Sequence, residues 1–137
     1  MRRFPVLALA LVLPVLGCNV DGGAGSDPFQ PLNHEQALAR ARSEKKIVMI
    51  DFYSDTCPPC RQLEAETFTD RRVRTFLQER TVAVRLRVED NQQLARMYRI
   101  AFLPSLVFVS GEGKEVGRML GFEPPDAFLA KARKYVN

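Results

Sequence analysis

Two cysteines separated by two prolines, Cys57-Pro58-Pro59-Cys60, are the residues whose type and spacing best suit chemistry. The thiolate, not the thiol, is the nucleophile and the metal ligand. An apolar run of strand length ends at Tyr53 and a helical pattern opens at Pro58, which places Cys57 at a helix N-terminus. There the unpaired backbone N–H groups and the helix dipole favour the thiolate. Cys60 falls one turn inside, within reach of a small disulfide ring. The prolines suit the first helical turn, because the N–H groups they lack would be orphaned anyway. A zinc site needs about four ligands, and one CxxC with a single histidine, His34, does not supply them. A structural disulfide is the other alternative for a secreted chain. A redox-active pair uses both the spacing and the position.

The elements that position this motif follow from periodicity. Asn33 reads as an N-cap, with Gln36 three residues on completing a capping box and Ala37, Leu38 and Ala41 on one face of a helix to Glu44. Ile47 to Tyr53 is a near-continuous apolar run, as expected of a strand covered on both faces. A helix is expected from Pro58 to about Glu66. A second starts at Asp70, with Val73, Phe76 and Leu77 inward. Thr81 to Val88 is the next strand, Asn91 to Tyr98 a short helix, and Ser105 to Val109 a buried strand. Gly111-Glu112-Gly113 turns into a hairpin partner over Lys114 to Leu120. Pro124-Pro125 then open a last helix with Phe128, Leu129, Ala132 and Val136 inward. The order α-β-α-α-β-α-β-β-α implies an α/β domain, a mixed central sheet flanked by helices.

The chain has 137 residues, 46% of them hydrophobic, with 20 basic and 16 acidic side chains and three cysteines. This length allows one ordinary domain and no second substantial core. Arg2 and Arg3 precede thirteen residues, Phe4 to Leu16, of which only the two prolines are not apolar. Thirteen residues make roughly 20 Å of helix, short of a ~30 Å hydrocarbon core, so residues 1–17 read as a secretory signal rather than a spanning anchor. Val15-Leu16-Gly17-Cys18 resembles the bacterial lipobox, in which the cysteine is acylated and becomes the first residue after cleavage. Leu16 stands where a smaller residue is commoner. A lipidated Cys18 accounts for the odd cysteine and tethers the protein to a membrane. Asn19 leaves outer-membrane sorting allowed. The Gly-, Pro- and Asp-rich stretch that follows, within 18–32, is expected to be a flexible tether, and the domain to occupy 33–137.

Taken together, these residues resemble the thioredoxin superfamily over about residues 34–137. The resemblance is strongest to the C-terminal thioredoxin-like domain of transmembrane thiol:disulfide interchange proteins. It rests on Asp51 to Cys60, on Glu66-Thr67-Phe68-Thr69-Asp70 with the apolar helix after it, on Leu103-Pro104-Ser105, and on Gly121. The resemblance implies a thioredoxin fold in which Cys57 attacks a substrate disulfide and Cys60 resolves the mixed disulfide. It implies that Asp51 is a buried acid exchanging a proton with the resolving thiol. Burial under an apolar strand should raise its pKa, as that role requires. Pro104 is expected to be cis and, with Leu103 and Thr56, to shape the substrate groove.

Two positions depart from the family pattern. Thr56 replaces the common tryptophan and makes the rim smaller and more polar. Arg85 replaces the lysine that faces the buried acid. An arginine stays protonated, so it can stabilise an Asp51 carboxylate and oppose the pKa rise, but cannot carry the proton.

Pro58 and Pro59 leave the Cys60 N–H as the nearest backbone donor to the Cys57 sulfur, and no histidine lies between the cysteines. Weak thiolate stabilisation should leave the disulfide relatively stable, so a reductant is expected. The partners implied are disulfide-containing proteins of a bacterial envelope, including apocytochrome c or a disulfide isomerase. A transmembrane thiol:disulfide interchange protein is the implied electron donor. No cofactor beyond the cysteine pair and no metal is expected, and the chain should act as a monomer. A thiol oxidase is the rival enzyme, but the stretch from Glu66 to Thr81 leaves no room for the helical insertion usual there. A dithiol copper(I) carrier is the rival binding module, although Met49, Met97 and Met119 are scattered. Arg71, Arg72 and Arg74 with Arg85 and Arg87 read as a solvated basic face. Without an array of exposed aromatics they do not read as a nucleic-acid site.

Overall fold

In a computed structural model, residues 26–136 are described. The elements run α1 (His34–Glu44), β1 (Ile47–Tyr53), α2 (Pro58–Gln62), a π-helical turn (Leu63–Thr67), α3 (Arg71–Arg80), β2 (Thr81–Arg87), α4 (Gln92–Met97), β3 (Ser105–Val109), β4 (Glu115–Leu120) and α5 (Pro125–Tyr135). The four strands form one sheet in the order β2-β1-β3-β4. β1 is parallel to β2 and antiparallel to β3, and β4 returns antiparallel to β3. This is the mixed, helix-flanked sheet expected from the order of elements, and the thioredoxin fold that the resemblance implies.

Alternation along β1 sends its side chains to two separate cores. Val48, Ile50 and Phe52 pack with Ala37 and Ala41 of α1, with Val82 and Val84 of β2, and with Tyr98. Met49 points the other way, to a core built with Leu63, Val73, Leu77, Phe108, Phe128 and Ala132 beneath α2, α3 and α5. Asp51 shares that second face. Burial of the strand on both sides is why its sequence reads as an unbroken apolar run.

Local signals set the helix ends. The Asn33 carboxamide accepts from the Gln36 N–H at 2.9 Å, and Gln36 returns the bond to the Asn33 N–H at 3.0 Å. Asp70 caps α3 through the Arg72 and Val73 N–H groups. Gly121 has φ +79°, a conformation that a side chain would strain, and its N–H donates to the Pro104 carbonyl at 2.8 Å. It therefore ties the end of β4 to the Leu103–Pro104 segment.

Three expectations are corrected. The helix expected from Pro58 to Glu66 is not uniformly α-helical: its second half opens into the π-helical turn. Residues five apart on an α-helix point about 140° apart, whereas the wider turn brings Leu63 and Phe68 into one core, with the Phe68 N–H on the Leu63 carbonyl at 3.0 Å. The tether does not extend through residue 32. Pro28 is buried, Phe29 bridges in parallel to Ala83, and the Gln30 N–H donates to the Ala83 carbonyl at 2.8 Å. Phe29 also stacks edge-on against Phe68 with ring centroids 4.8 Å apart, and Leu32 packs against the α1 core. The apolar rings of an otherwise polar stretch are what draw it onto the domain.

The arginines are likewise not a uniformly solvated basic face. Arg72 pairs with Asp70 and Asp126, Arg85 with Asp51 and Glu64, and Arg87 with Asp55 and Asp90. If residues 28–30 belong to the fold, Phe29→Ala should cost about 1–2 kcal/mol in urea denaturation from lost apolar burial. An unchanged midpoint would restore the free tether.

Candidate functional site

The motif sits where β1 hands over to α2, as the sequence indicates. Cys57 is the N-cap of α2, with Pro58 and Pro59 in its first turn. Cys57 and Cys60 are joined as a disulfide with Cα atoms 5.3 Å apart. The two sulfurs differ in access: Cys57 is partly exposed, whereas Cys60 is 3% exposed. An incoming thiolate or disulfide can therefore reach Cys57 and not Cys60. The Cys60 N–H donates to the Cys57 sulfur at 3.2 Å. With prolines at the two intervening positions, the motif offers that sulfur no other backbone donor.

The turn ahead of the motif is pinned from β2 and the loop after it, which the sequence did not reveal. Ser54 is buried, donates to Glu89, and lies 3.3 Å from the Thr56 hydroxyl. Arg87 holds Asp55 and Asp90 together, and Arg61 donates to the Asp55 carbonyl at 2.9 Å. Thr56 itself is exposed at the rim. Pairing of Phe52 with Ser105 sets Pro104 at the end of the sheet from which the motif leaves. The Leu103–Pro104 peptide is cis, Pro104 is buried, and Leu103 is partly exposed beside it. Phe102, next along, is exposed.

Asp51 lies under this end of the sheet at 1% exposure, on the face that packs against α2 and the π-helical turn. Arg85, its register partner on β2, donates to Oδ2 at 2.9 Å. Oδ1 has no hydrogen-bond partner among the described residues. Two effects oppose one another here. Burial penalises the carboxylate, and the Arg85 charge and hydrogen bond favour it. Burial wins, and Asp51 is pushed up to about 6, with the Glu64 charge adding to the rise.

Arg85 cannot neutralise Asp51 fully because it is shared. Its Nη1 donates to Glu64 at 2.9 Å, and its guanidinium lies 4.4 Å from the Tyr53 ring centroid and 5.4 Å from that of Phe29. The sequence indicated Asp51 and Arg85 but missed Glu64, Tyr53 and Phe29. Tyr53 was legible, since it follows Asp51 by two on the same strand face. Glu64 stands one turn beyond Cys60, on the same side as Asp51. Cys18 lies outside the described residues.

A carboxyl near pKa 6 can take a proton from a buried thiol and return it close to neutral pH, which is the chemistry this arrangement allows. Because the folded pKa is raised above the ordinary value of 3.8, the folded state binds the proton more tightly than the unfolded chain. The associated stability is present below about pH 4 and is lost as pH rises through about 6. Asp51→Asn should abolish that fall and stabilise the oxidised domain at pH 7 by about 1–3 kcal/mol. Urea denaturation at pH 4, 5, 6 and 7 checks it. A wild-type stability that rises over this range would contradict the raised pKa.

A family model for the thioredoxin-like domain matches residues 34–135. The thiol:disulfide interchange protein DsbD of Salmonella typhi is 36% identical over 148 residues, covering 95% of this chain and 26% of that protein. The chain thus spans about a quarter or less of the length of the curated relatives it matches. A thioredoxin from Thermus thermophilus has a similar structure at 36% identity, TM-score 0.67, over 74% of this chain and 82% of that one. The C-terminal domain of Neisseria meningitidis DsbD in the oxidised form does so at 25% identity, TM-score 0.62, over 72% and 90%. The chain therefore belongs to the thioredoxin-like domain family.

Proposed function

We propose that this protein is a lipid-anchored reductase of disulfides in the proteins of a bacterial envelope. The observation that carries the reading is the asymmetric pair, a partly exposed Cys57 bonded to a buried Cys60 at the mouth of a helix. In the reduced state the Cys57 thiolate attacks a substrate disulfide, forming the mixed disulfide and releasing one substrate thiolate. Cys60 gives its proton to Asp51 and attacks the Cys57 sulfur. The second substrate thiolate leaves, takes up a proton, and the Cys57–Cys60 disulfide remains. Two electrons have then passed to the substrate, and a donor dithiol must return two to restart the cycle.

The sulfur's surroundings support this direction. One backbone N–H is a weak stabiliser of a thiolate, and a poorly stabilised thiolate favours the disulfide form of the motif. Such a pair gives electrons away. The DsbD likeness supports a transmembrane thiol:disulfide interchange protein as donor, and envelope proteins such as apocytochrome c or a disulfide isomerase as acceptors. Pro104, Leu103 and Thr56 line the groove in which the acceptor backbone lies. No helix among the described residues is long and apolar enough to cross a membrane, so the reading assigns the anchor to acylated Cys18 behind the 1–17 signal. The cycle as written invokes no cofactor beyond the cysteine pair.

Insulin reduction by the wild type should fall to background in Cys57→Ser; equal rates would remove the enzymatic reading and leave the copper carrier. A redox titration should place the pair towards ~−270 mV, and a value near ~−120 mV would make the protein an oxidant instead. Cys60→Ala should accumulate mixed disulfides on Cys57 in cells, and incorporation of labelled fatty acid should disappear in Cys18→Ala.

A further inference from the structure

A groove of about 550 Å³ runs between α3 and α5, lined by Arg71, Arg72, Thr75, Phe76, Arg80 and Arg133, with Glu79 as the single acid of its walls. Four arginines thus line one cleft together with the buried Phe76. Arg72 is offset by Asp70 and Asp126 at the rim, and Arg80 donates to the Val136 carbonyl at 3.4 Å. Arg71 and Arg133 have no carboxylate partner among the described residues. Like charges gathered this closely repel one another, and a counter-anion relieves them. Guanidinium forks match phosphate oxygens in pairs.

The course of the chain bears on which anion could reach the groove. Gln78 of α3 donates through Nε2 to the Ser26 hydroxyl at 2.9 Å and to its carbonyl at 3.2 Å, so the chain enters the domain against the helix that forms one wall of the groove. Cys18 is eight residues before Ser26. Whatever their conformation, eight residues span at most about 28 Å. An acyl anchor on Cys18 therefore keeps the lipid headgroups within that distance of α3. We propose that the α3–α5 arginine groove docks the domain onto the anionic phospholipid surface to which it is anchored. None of the groove residues belongs to the 54–60 loop or the 102–104 segment, so docking leaves Cys57 open to partners. Basic side chains are attracted to an anionic bilayer, and the effect fades within a Debye length.

The inference takes its orientation from the proposed acylation of Cys18, and its test does not use the acyl group. Both cores close within residues 29–136, so a chain beginning at residue 18 with Cys18→Ser keeps every described contact. That chain should co-sediment with vesicles of phosphatidylcholine containing 30% phosphatidylglycerol, bind pure phosphatidylcholine at least about tenfold more weakly, and be released by 0.5 M salt. Arg71→Gln with Arg133→Gln should weaken binding to the anionic vesicles about tenfold or more while insulin reduction stays unchanged. Arg96→Gln with Arg99→Gln, outside the groove, should leave vesicle binding within about twofold. Equal binding to both vesicle types, or an equal loss from the two double variants, would overturn the proposal. So would a groove variant that disrupts self-association of the protein without touching vesicle binding. Failure here leaves acylation of Cys18 standing, and an unlabelled Cys18 leaves the vesicle result standing.

Discussion

A carboxylate buried beneath the central sheet is the constraint around which this domain is arranged. Asp51 stands on a strand whose other residues are apolar, and a lone charge there would be driven to neutrality. Arg85 answers it across the β1–β2 ladder, yet must itself be kept charged and in place. Tyr53 and Phe29 flank its guanidinium, and Glu64 takes its second nitrogen. The result is a cation held firmly but divided between two acids, so Asp51 keeps a proton affinity close to neutral. A lysine could give up its proton in such a position; an arginine cannot. Proton exchange is thereby left to the carboxyl alone.

The motif above it obeys a second constraint, the geometry of a helix start. Cys57 occupies the cap position that serine or aspartate fills elsewhere, and its sulfur accepts the one N–H that the two prolines leave available. Cys60, one turn on, is carried inward and buried. One sulfur at the surface and one below it is a consequence of helical periodicity.

Much of this was legible in the sequence because it is written in local terms. Asn33 and Gln36 announce α1, the apolar run announces β1, and the CxxC with two prolines announces a helix mouth. Asp51 and Arg85 were legible only through family likeness, and their pairing depends on strand register. Features set by contacts distant in sequence were not legible. Glycine, proline and aspartate made residues 18–32 look uniformly loose, while Phe29 found Phe68 and Ala83 across more than thirty residues. The π-helical turn left no compositional trace, because it serves to align Leu63 with Phe68. Ser54 and Glu89 meet only because β2 ends where β1 does.

The short stretch at Phe29 and Gln30 has a consequence for life among other proteins. A sheet presents two rims of unpaired backbone groups, and each invites strands from neighbouring chains. Here the β2 rim is partly occupied by the polypeptide's own approach to the domain, through the Phe29–Ala83 bridge and the Gln30 N–H. The β4 rim is shifted in register between Phe108 and Val109 and carries Glu115 and Arg118. Both margins of this sheet thus leave few free backbone groups or uncharged positions for a second copy to pair with.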